Sequence, residues 1–392
     1  MSPARVDGPP AVVLQASGPN GLAIVRGLGR AGVPVIACDH DPHAIGLVSR
    51  YADAAVTASP LTEPERFVED LLELGRGRGR GGVLFTSHDE AIAALGPRQA
   101  EIDELFHRPW TPWPAVGAIM DKDHQHAVAR EHGFPVPTTV TPSGEGDLEA
   151  VMRELRFPLV LKPRNAPEFR HRFRAHLLRA ADPEELRRAW GLAAPYEPQV
   201  CEVIPGDDSR LWTYGSYRDA SGRALAMFTG HKLRQWPVGF GAARSAESLW
   251  DPGLAARCDA LLDAFGYHGI SQVEVKRDAR DGRDYLIEVN VRAWLWIGLA
   301  TDCGVNLPLA CWLDAVGRAR TWPPGHRSGR RWVLLTKHLV GSAREIRRDE
   351  WSARPFLSSL RPPVRDGVFD VRDPRPGLAL YERHARRLMR RG

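Results

Sequence analysis

The stretch YLIEVNVRAW, residues 285–294, sets a carboxylate, an amide and a guanidinium at alternate positions: Glu288, Asn290 and Arg292. Successive side chains of an extended segment point to opposite faces, so these three share one face while Tyr285, Ile287, Val289 and Val291 share the other. Glu and Asn are poor strand formers, and such conflicts with local propensity concentrate at functional sites. Upstream, SQVEVKRDARDGRD carries Glu274 on another strand, and the turn between them makes a hairpin. Glu274 lies directly opposite Glu288 if the loop is odd, as in a three-residue loop with Gly282 in the left-handed region. Facing carboxylates repel unless a positive charge lies between them. With Asn290 adjacent, these oxygen donors suit Mg²⁺, or Mn²⁺ on the same donors, with water and phosphate completing the shell. A metal-free pair would instead read as a general acid and base.

Cations recur in three other places. Lys162 ends the strand PLVLKP, Lys122 opens a helix in MDKDHQH, and HKLRQWPVGFGAARSAE supplies Lys232 and Arg234 beside a glycine-containing loop. Joined to the hairpin, they describe a polyphosphate site closed by a mobile loop. Arg244 and Arg292 are candidates for a substrate carboxylate. Ser87, His88 and Asp89 end a parallel strand, where open α/β sheets bind ligands.

These groups need a scaffold. AVVLQASGPNGLAIVRGLGRAGVPVIACD reads as strand, turn, helix, turn, strand, the start of a parallel α/β layer, continued by a helix near 63–74 and the strand GGVLFTS. The GRGRGRGG between these two is a connecting loop rather than an RNA-binding tract. Prolines cluster around one helix near 115–132, marking a boundary. Strand FPLVLKP, a polar stretch, helix DPEELRRAWGL and strand YEPQVCEVIPG then make a small α+β lid. Further strands lead to the hairpin, a long apolar helix near 297–316 follows, and an appendage with a basic helix closes the chain.

At 392 residues the chain exceeds one ordinary core. Lys+Arg 53 against Asp+Glu 48 is a small basic excess spread along the chain, which suits anionic small molecules as well as it suits nucleic acid; no nucleic-acid partner is expected. Five scattered cysteines without a C-x-x-C spacing point to a reducing cytoplasm and no zinc site. Neither a signal peptide nor a membrane span is expected.

The motifs DK…GFPVPTT, PLVLKP, CEVIPGDD, KLRQWP…G and VEV…YLIEVNVR occur in the order seen in ATP-grasp ligases, and the chain most resembles the carbamoyl-phosphate-synthase-like and D-aspartate-ligase-like branch. The resemblance implies an N-terminal Rossmann-like domain (1–114), a lid subdomain with its leading helix (115–200), an antiparallel-sheet catalytic subdomain (201–325) and a C-terminal extension (326–392). It implies that Lys122 and Lys162 contact ATP phosphates, that Glu202, Val203 and Ile204 form the hinge receiving adenine, and that Asp208 holds the ribose. Glu274, Glu288 and Asn290 would hold Mg²⁺, while Arg292, Arg234 and Lys232 face the transferred phosphoryl group or substrate. The implied reaction joins a carboxylate to an amine through an acyl phosphate, and homodimerisation stays open. Three departures bear on the substrate side: His176 stands where a lid lysine is usual, Val291 replaces a proline, and Trp294 and Trp296 replace smaller residues, suggesting a larger or flatter acceptor. Other readings are a bicarbonate-activating enzyme, a nicotinamide oxidoreductase using SGPNG and Asp39, and a regulatory protein with a degenerate ligase fold.

Overall fold

A computed structural model of the chain describes residues 6–163, 169, 172–173, 175, 177–348 and 351–389, so His176 lies outside the described residues. Contacts gather the chain into two compact units, one of Met1–His132, Asp207–Val275 and Glu288–Gly392, the other of Gly133–Gly206 and Lys276–Ile287. The stretches expected as separate N-terminal, catalytic and C-terminal domains therefore share one unit, and the helical stretch 115–132 belongs with them rather than with the lid.

In the first unit β1 (Ala11–Leu14), β2 (Val35–Asp39), β3 (Asp53–Val56), β4 (Gly82–Thr86) and β5 (Phe106–His107) form a parallel sheet in the order β3-β2-β1-β4-β5. The central strands are buried along their whole length, as expected where both faces are covered. The helix Pro19–Gly29 follows β1 and starts with proline, whose missing N–H costs nothing there.

The remaining strands are β6 (Thr139–Val140), β7 (Leu159–Lys162), β8 (Leu178–Ala180), β9 (Gln199–Glu202), β10 (Leu211–Arg218), β11 (Ala224–Trp236), β12 (Ala242–Ser248), β13 (Gly269–Arg277), β14 (Asp284–Asn290), β15 (Arg331–Val333) and β16 (Val364–Asp366). A seven-stranded sheet has the order β14-β13-β10-β11-β12-β15-β16. Its last two strands come from the C-terminal stretch, so this is no appendage. Trp332, Leu334 and Val368 join one core with Leu22, Val25 and Phe228. Asp373, fully buried, accepts from Arg26 Nε at 2.9 Å, Ser49 Oγ at 2.7 Å and Arg50 N at 2.9 Å.

Two helices expected as continuous are broken by local chemistry. Near 115–132 the break is Asp121, whose extended backbone ends Ala115–Met120 and whose carboxylate caps Lys122–Glu131 by accepting from His124 N at 2.8 Å. Near 297–316, Gly304 at φ +103° separates Gly298–Asp302 from Leu307–Ala315, which Asn306 caps. Trp294 and Trp296 are each 1 % exposed and pack on Phe228 with ring centroids 6.1 and 6.0 Å away. They are core, not an acceptor surface, because β10 offers Gly215, where a Cβ would stand 2.1 Å from the Trp294 ring.

In the second unit β6-β9-β7-β8 form an antiparallel sheet covered by the helices Leu148–Glu154 and Pro183–Ala193, with Leu159, Leu161, Leu186 and Trp190 in its core. The tip of the β13–β14 hairpin also belongs here. Asp278 N–H donates to the Arg283 carbonyl at 2.8 Å, leaving 279–282 as the loop, one residue longer than expected and even in number, so the turn does not set Glu274 directly opposite Glu288. Gly282 does take the left-handed region, at φ +74°.

Candidate active site

The polar face of β13 and β14 is built as a ladder of charges in the first unit. Lys232 on β11 places Nζ 2.7 and 2.9 Å from the two Glu274 oxygens, with both side chains buried. Lys122 Nζ lies 3.1 Å from Glu288 Oε2. A lysine in the first turn of a helix opposes the helix dipole by about 0.3–1 kcal/mol, so its position there requires a compensating anion, which Glu288 provides. Gln125, one turn on, fixes that helix to β14: its amide accepts from Val289 N at 2.8 Å and donates to Val289 O at 2.8 Å.

Asn290 donates to Glu288 Oε1 at 3.0 Å and to Gln272 Oε1 at 3.2 Å, and Gln272 in turn donates to Thr213 at 2.9 Å. The Asn290 carbonyl accepts from Arg292 Nη2 at 2.9 Å, and Arg292 Nε lies 3.2 Å from Asp89 at the head of the helix Asp89–Leu95. The ladder thus runs from Lys232 through the carboxylates to the C-terminal end of β4. Asn20, from the SGPNG turn, closes that end by donating to Ser87 O at 2.6 Å and Ala293 O at 3.3 Å.

Burial works against ionising Glu288, but the Lys122 charge, the Asn290 amide and Lys232 outweigh it and hold the carboxyl down to about 2. The same pairing with Glu288 raises the Lys122 ammonium above its ordinary value. His88 beside the ladder is pushed down, chiefly by burial, so it is neutral near pH 7. The two ammonium groups stand in as cations on the carboxylates. Two carboxylates and an amide carbonyl, all hard oxygen donors already balanced by positive charge, fit a magnesium ion.

Of the expected site residues, Lys122, Lys232, Glu274, Glu288, Asn290 and Arg292 come together. Lys162 and the segment Glu202, Val203, Ile204 lie in the second unit, where Lys162 ends β7 and the Glu202 carboxylate accepts from Arg156 N at 2.8 Å. Arg234 leaves the ladder: register shifts on either side of it turn its guanidinium over the Trp351 ring, 4.5 Å from the centroid. Asp208 is buried and committed to the chain, accepting from Gln235 N at 2.8 Å, Gln235 Nε2 at 2.9 Å and Gly239 N at 3.2 Å. Arg244, fully buried, pairs with Glu345 and does not face a substrate. The Asp39 carboxylate accepts from Ser17 N at 2.8 Å and Asp41 N at 2.9 Å, which occupies the group a nicotinamide ribose would need. Gln272 and Gln125 were missed. Gln272 was legible, two residues before Glu274 on the same strand face, whereas nothing local marks Gln125.

No family model matches the chain. It is 26 % identical over 258 residues to a D-aspartate ligase from Enterococcus faecium (strain Aus0004), covering 62 % of this chain and 61 % of that protein. It is 30 % identical over 227 residues to a D-alanine–D-alanine ligase from Stutzerimonas stutzeri (strain A1501), covering 52 % of this chain and 67 % of that one. The chain belongs to the ATP-grasp ligases. An N5-carboxyaminoimidazole ribonucleotide synthetase in complex with ADP shares this ATP-grasp fold, at TM-score 0.66, 16 % identity and coverage of 88 % of this chain and 87 % of that chain. So does an L-amino acid ligase from Bacillus licheniformis, at TM-score 0.59, 14 % identity and coverage of 83 % and 79 %. No helix among the described residues is long and apolar enough to cross a membrane.

Proposed function

We propose that this ATP-grasp ligase joins a carboxylate to the amine of an amino-acid-like substrate, forming an amide through an acyl phosphate and releasing ADP and phosphate. The observation that carries the proposal is the ladder Lys232–Glu274, Lys122–Glu288–Asn290–Arg292, a run of alternating charges on one sheet face ending at Asp89. The similarity to ligases named for D-aspartate and D-alanine supports amino-acid-like substrates. All five cysteines are buried thiols, which suits a cytoplasmic enzyme.

The substrate carboxylate oxygen attacks the γ-phosphorus of ATP, and the bond to the β-phosphate oxygen breaks with its electron pair leaving on ADP. Amine nitrogen then attacks the acyl carbon, phosphate departs with the carbon–oxygen pair, and the nitrogen loses its proton. Lys122 and Lys232 carry the positive charge that the transferring phosphoryl oxygens require. Arg292 is held from both sides, by Asn290 and Asp89, so its guanidinium meets the phosphoryl group or the acyl carboxylate in a fixed orientation. Magnesium held by Glu274, Glu288 and Asn290 would screen charge on the phosphate oxygens. Lys162 as a further phosphate ligand and Glu202, Val203 and Ile204 as the adenine hinge are carried over as part of the proposal.

The test is a matrix of amino acids and small carboxylic acids against amines, scored for ADP and for a product mass equal to the sum of the partners less water. ADP dependent on both partners is the expected result. ADP requiring only bicarbonate would indicate carboxyphosphate formation, and AMP as the sole nucleotide product would refute the mechanism.

A further inference from the structure

The carboxylates of the ladder are all committed to cations: Glu274 to Lys232, Glu288 to Lys122 and Asp89 to Arg292. None is free to take a proton, yet the amine nitrogen must lose one when it bonds to the acyl carbon. Where the ladder ends, His88 lies between β4 and the helix Asp89–Leu95. Its side chain makes no capping bond to that helix. Instead Nδ1 lies 2.8 Å from Ser87 Oγ. That hydroxyl has one proton, and its other neighbours, Gln15 O at 2.6 Å and Leu14 O at 3.2 Å, can only accept. The hydroxyl proton therefore goes to a carbonyl, the 2.8 Å contact is an N–H donated by Nδ1, and the lone pair of the neutral ring is at Nε2. His88 is half-buried, and Nε2 has no hydrogen-bond partner among the described residues and is not enclosed. Burial pushes the imidazole down; of the charges that face it, Glu90, Asp89 and Asp39 oppose that push and Arg292 adds to it.

The backbones that carry this ring and the Arg292 guanidinium are clamped together. Asn20 Nδ2 donates to the carbonyl just before His88, Ser87 O at 2.6 Å, and to the carbonyl just after Arg292, Ala293 O at 3.3 Å. Ala293 O also accepts from Arg292 Nη1 at 3.3 Å, and Ala293 N donates to Thr86 O at 3.3 Å. Asp89, the residue after His88, holds the guanidinium at 3.2 Å. On its other side the ring rests over the start of the helix Pro19–Gly29, where a Cβ on Gly18 would collide with Asn20 Oδ1 and stand 3.6 Å from His88 Cε1. A bare ring nitrogen and the cation that orients the acyl group are thus fixed on adjoining backbones, the geometry that proton transfer at that group requires.

We propose that His88 Nε2 is the general base of the second step, taking the proton from the amine nitrogen as it closes on the acyl carbon; this rests on the ligase reading. The nitrogen lone pair forms the carbon–nitrogen bond, one N–H bond breaks with its electron pair staying on nitrogen, and its proton passes to Nε2. Phosphate leaves with the carbon–oxygen pair, and the imidazolium, faced by Asp89 and Glu90, returns its proton to water. The first step, attack of the carboxylate on the γ-phosphorus, moves no proton and does not use His88. Hydroxylamine separates the two steps, because it captures an acyl phosphate as a hydroxamate without help from a base. The test takes the carboxylate and amine that release ADP in the matrix above and compares the full chain with His88→Asn and His88→Gln. Neither variant offers a base, and both are checked for an unchanged melting profile. Amide formation should fall by about a hundredfold or more in both, while the hydroxamate formed when hydroxylamine replaces the amine stays within about twofold of the parent. Amide formation close to that of the parent would overturn the base. Equal loss of amide and hydroxamate would overturn it too, placing His88 in the first step or in the fold. An unaltered chain that releases no ADP with any pair removes the ligase reading, and the base with it.

Discussion

Glu288 pairs with Lys122 and accepts from Asn290, and its removal should be felt in two separate measurements. Glu288→Gln keeps the shape but removes the charge that balances Lys122, and ADP release should fall by about a hundredfold or more, comparable to losing a preorganised electrostatic contact. The same variant should change the acid limb of stability. A carboxyl held down to about 2 in the folded chain against an ordinary 4.5 contributes stability that is fully present above about pH 4.5 and lost as pH falls through about 2. The stability difference between the parent and Glu288→Gln, followed by denaturant unfolding, should therefore shrink across that window and be constant above it. These residues were legible because a period of two is local. Lys122 as the partner of Glu288 was not, since the pair is joined only by tertiary packing through Gln125.

Among the elements, the loop after β11, expected to be mobile, is tied to Asp208 at Gly239, while the other two Asp208 bonds reach Gln235 within β11. Asp208 holds Gln235 and Gly239 by three hydrogen bonds, so Asp208→Ala should release the loop and speed proteolytic cleavage near Phe240 in the nucleotide-free protein. Equal cleavage of parent and variant would show the pin to be without effect. On β10, Gly215→Val should destabilise the chain by about 1–3 kcal/mol or more in urea unfolding, because Trp294 occupies the space a side chain would need. Strands and the parallel layer could be read from alternation and from apolar runs bounded by turns. The tryptophans were misread because a large aromatic looks the same in sequence whether it lines a pocket or fills a core; the glycine that decides between them lies on another strand. Both long helices were joined in the reading because apolar periodicity continues through Asp121 and Gly304, where capping and a positive φ interrupt the backbone.

At the scale of the whole molecule, the C-terminal stretch is stitched into the unit it follows. Asp373→Ala leaves Arg26 buried and unpaired, and should cost about 3–5 kcal/mol in urea unfolding. Replacing Arg26 and Asp373 together by methionine should restore most of that loss, since no uncompensated charge then remains. The motifs that carry the resemblance end at Arg292, so nothing in the sequence marked this stretch as part of the first core; its two strands are short and their pairing is entirely long-range. The same bond sets an order of events during synthesis. Arg26 and Asp373 are separated by 347 positions, so at about 5–20 residues per second a ribosome delivers the partner roughly 20–70 s after the arginine has been made. Through most of that interval the first sheet exists with a cation at its future core and with β15 and β16, which end one side of the larger sheet, still unmade. The nascent chain must keep that face hydrated or shielded until translation is almost finished, and a message cut short before Asp373 yields a protein in which Arg26, Ser49 and Arg50 N lack the carboxylate that joins them.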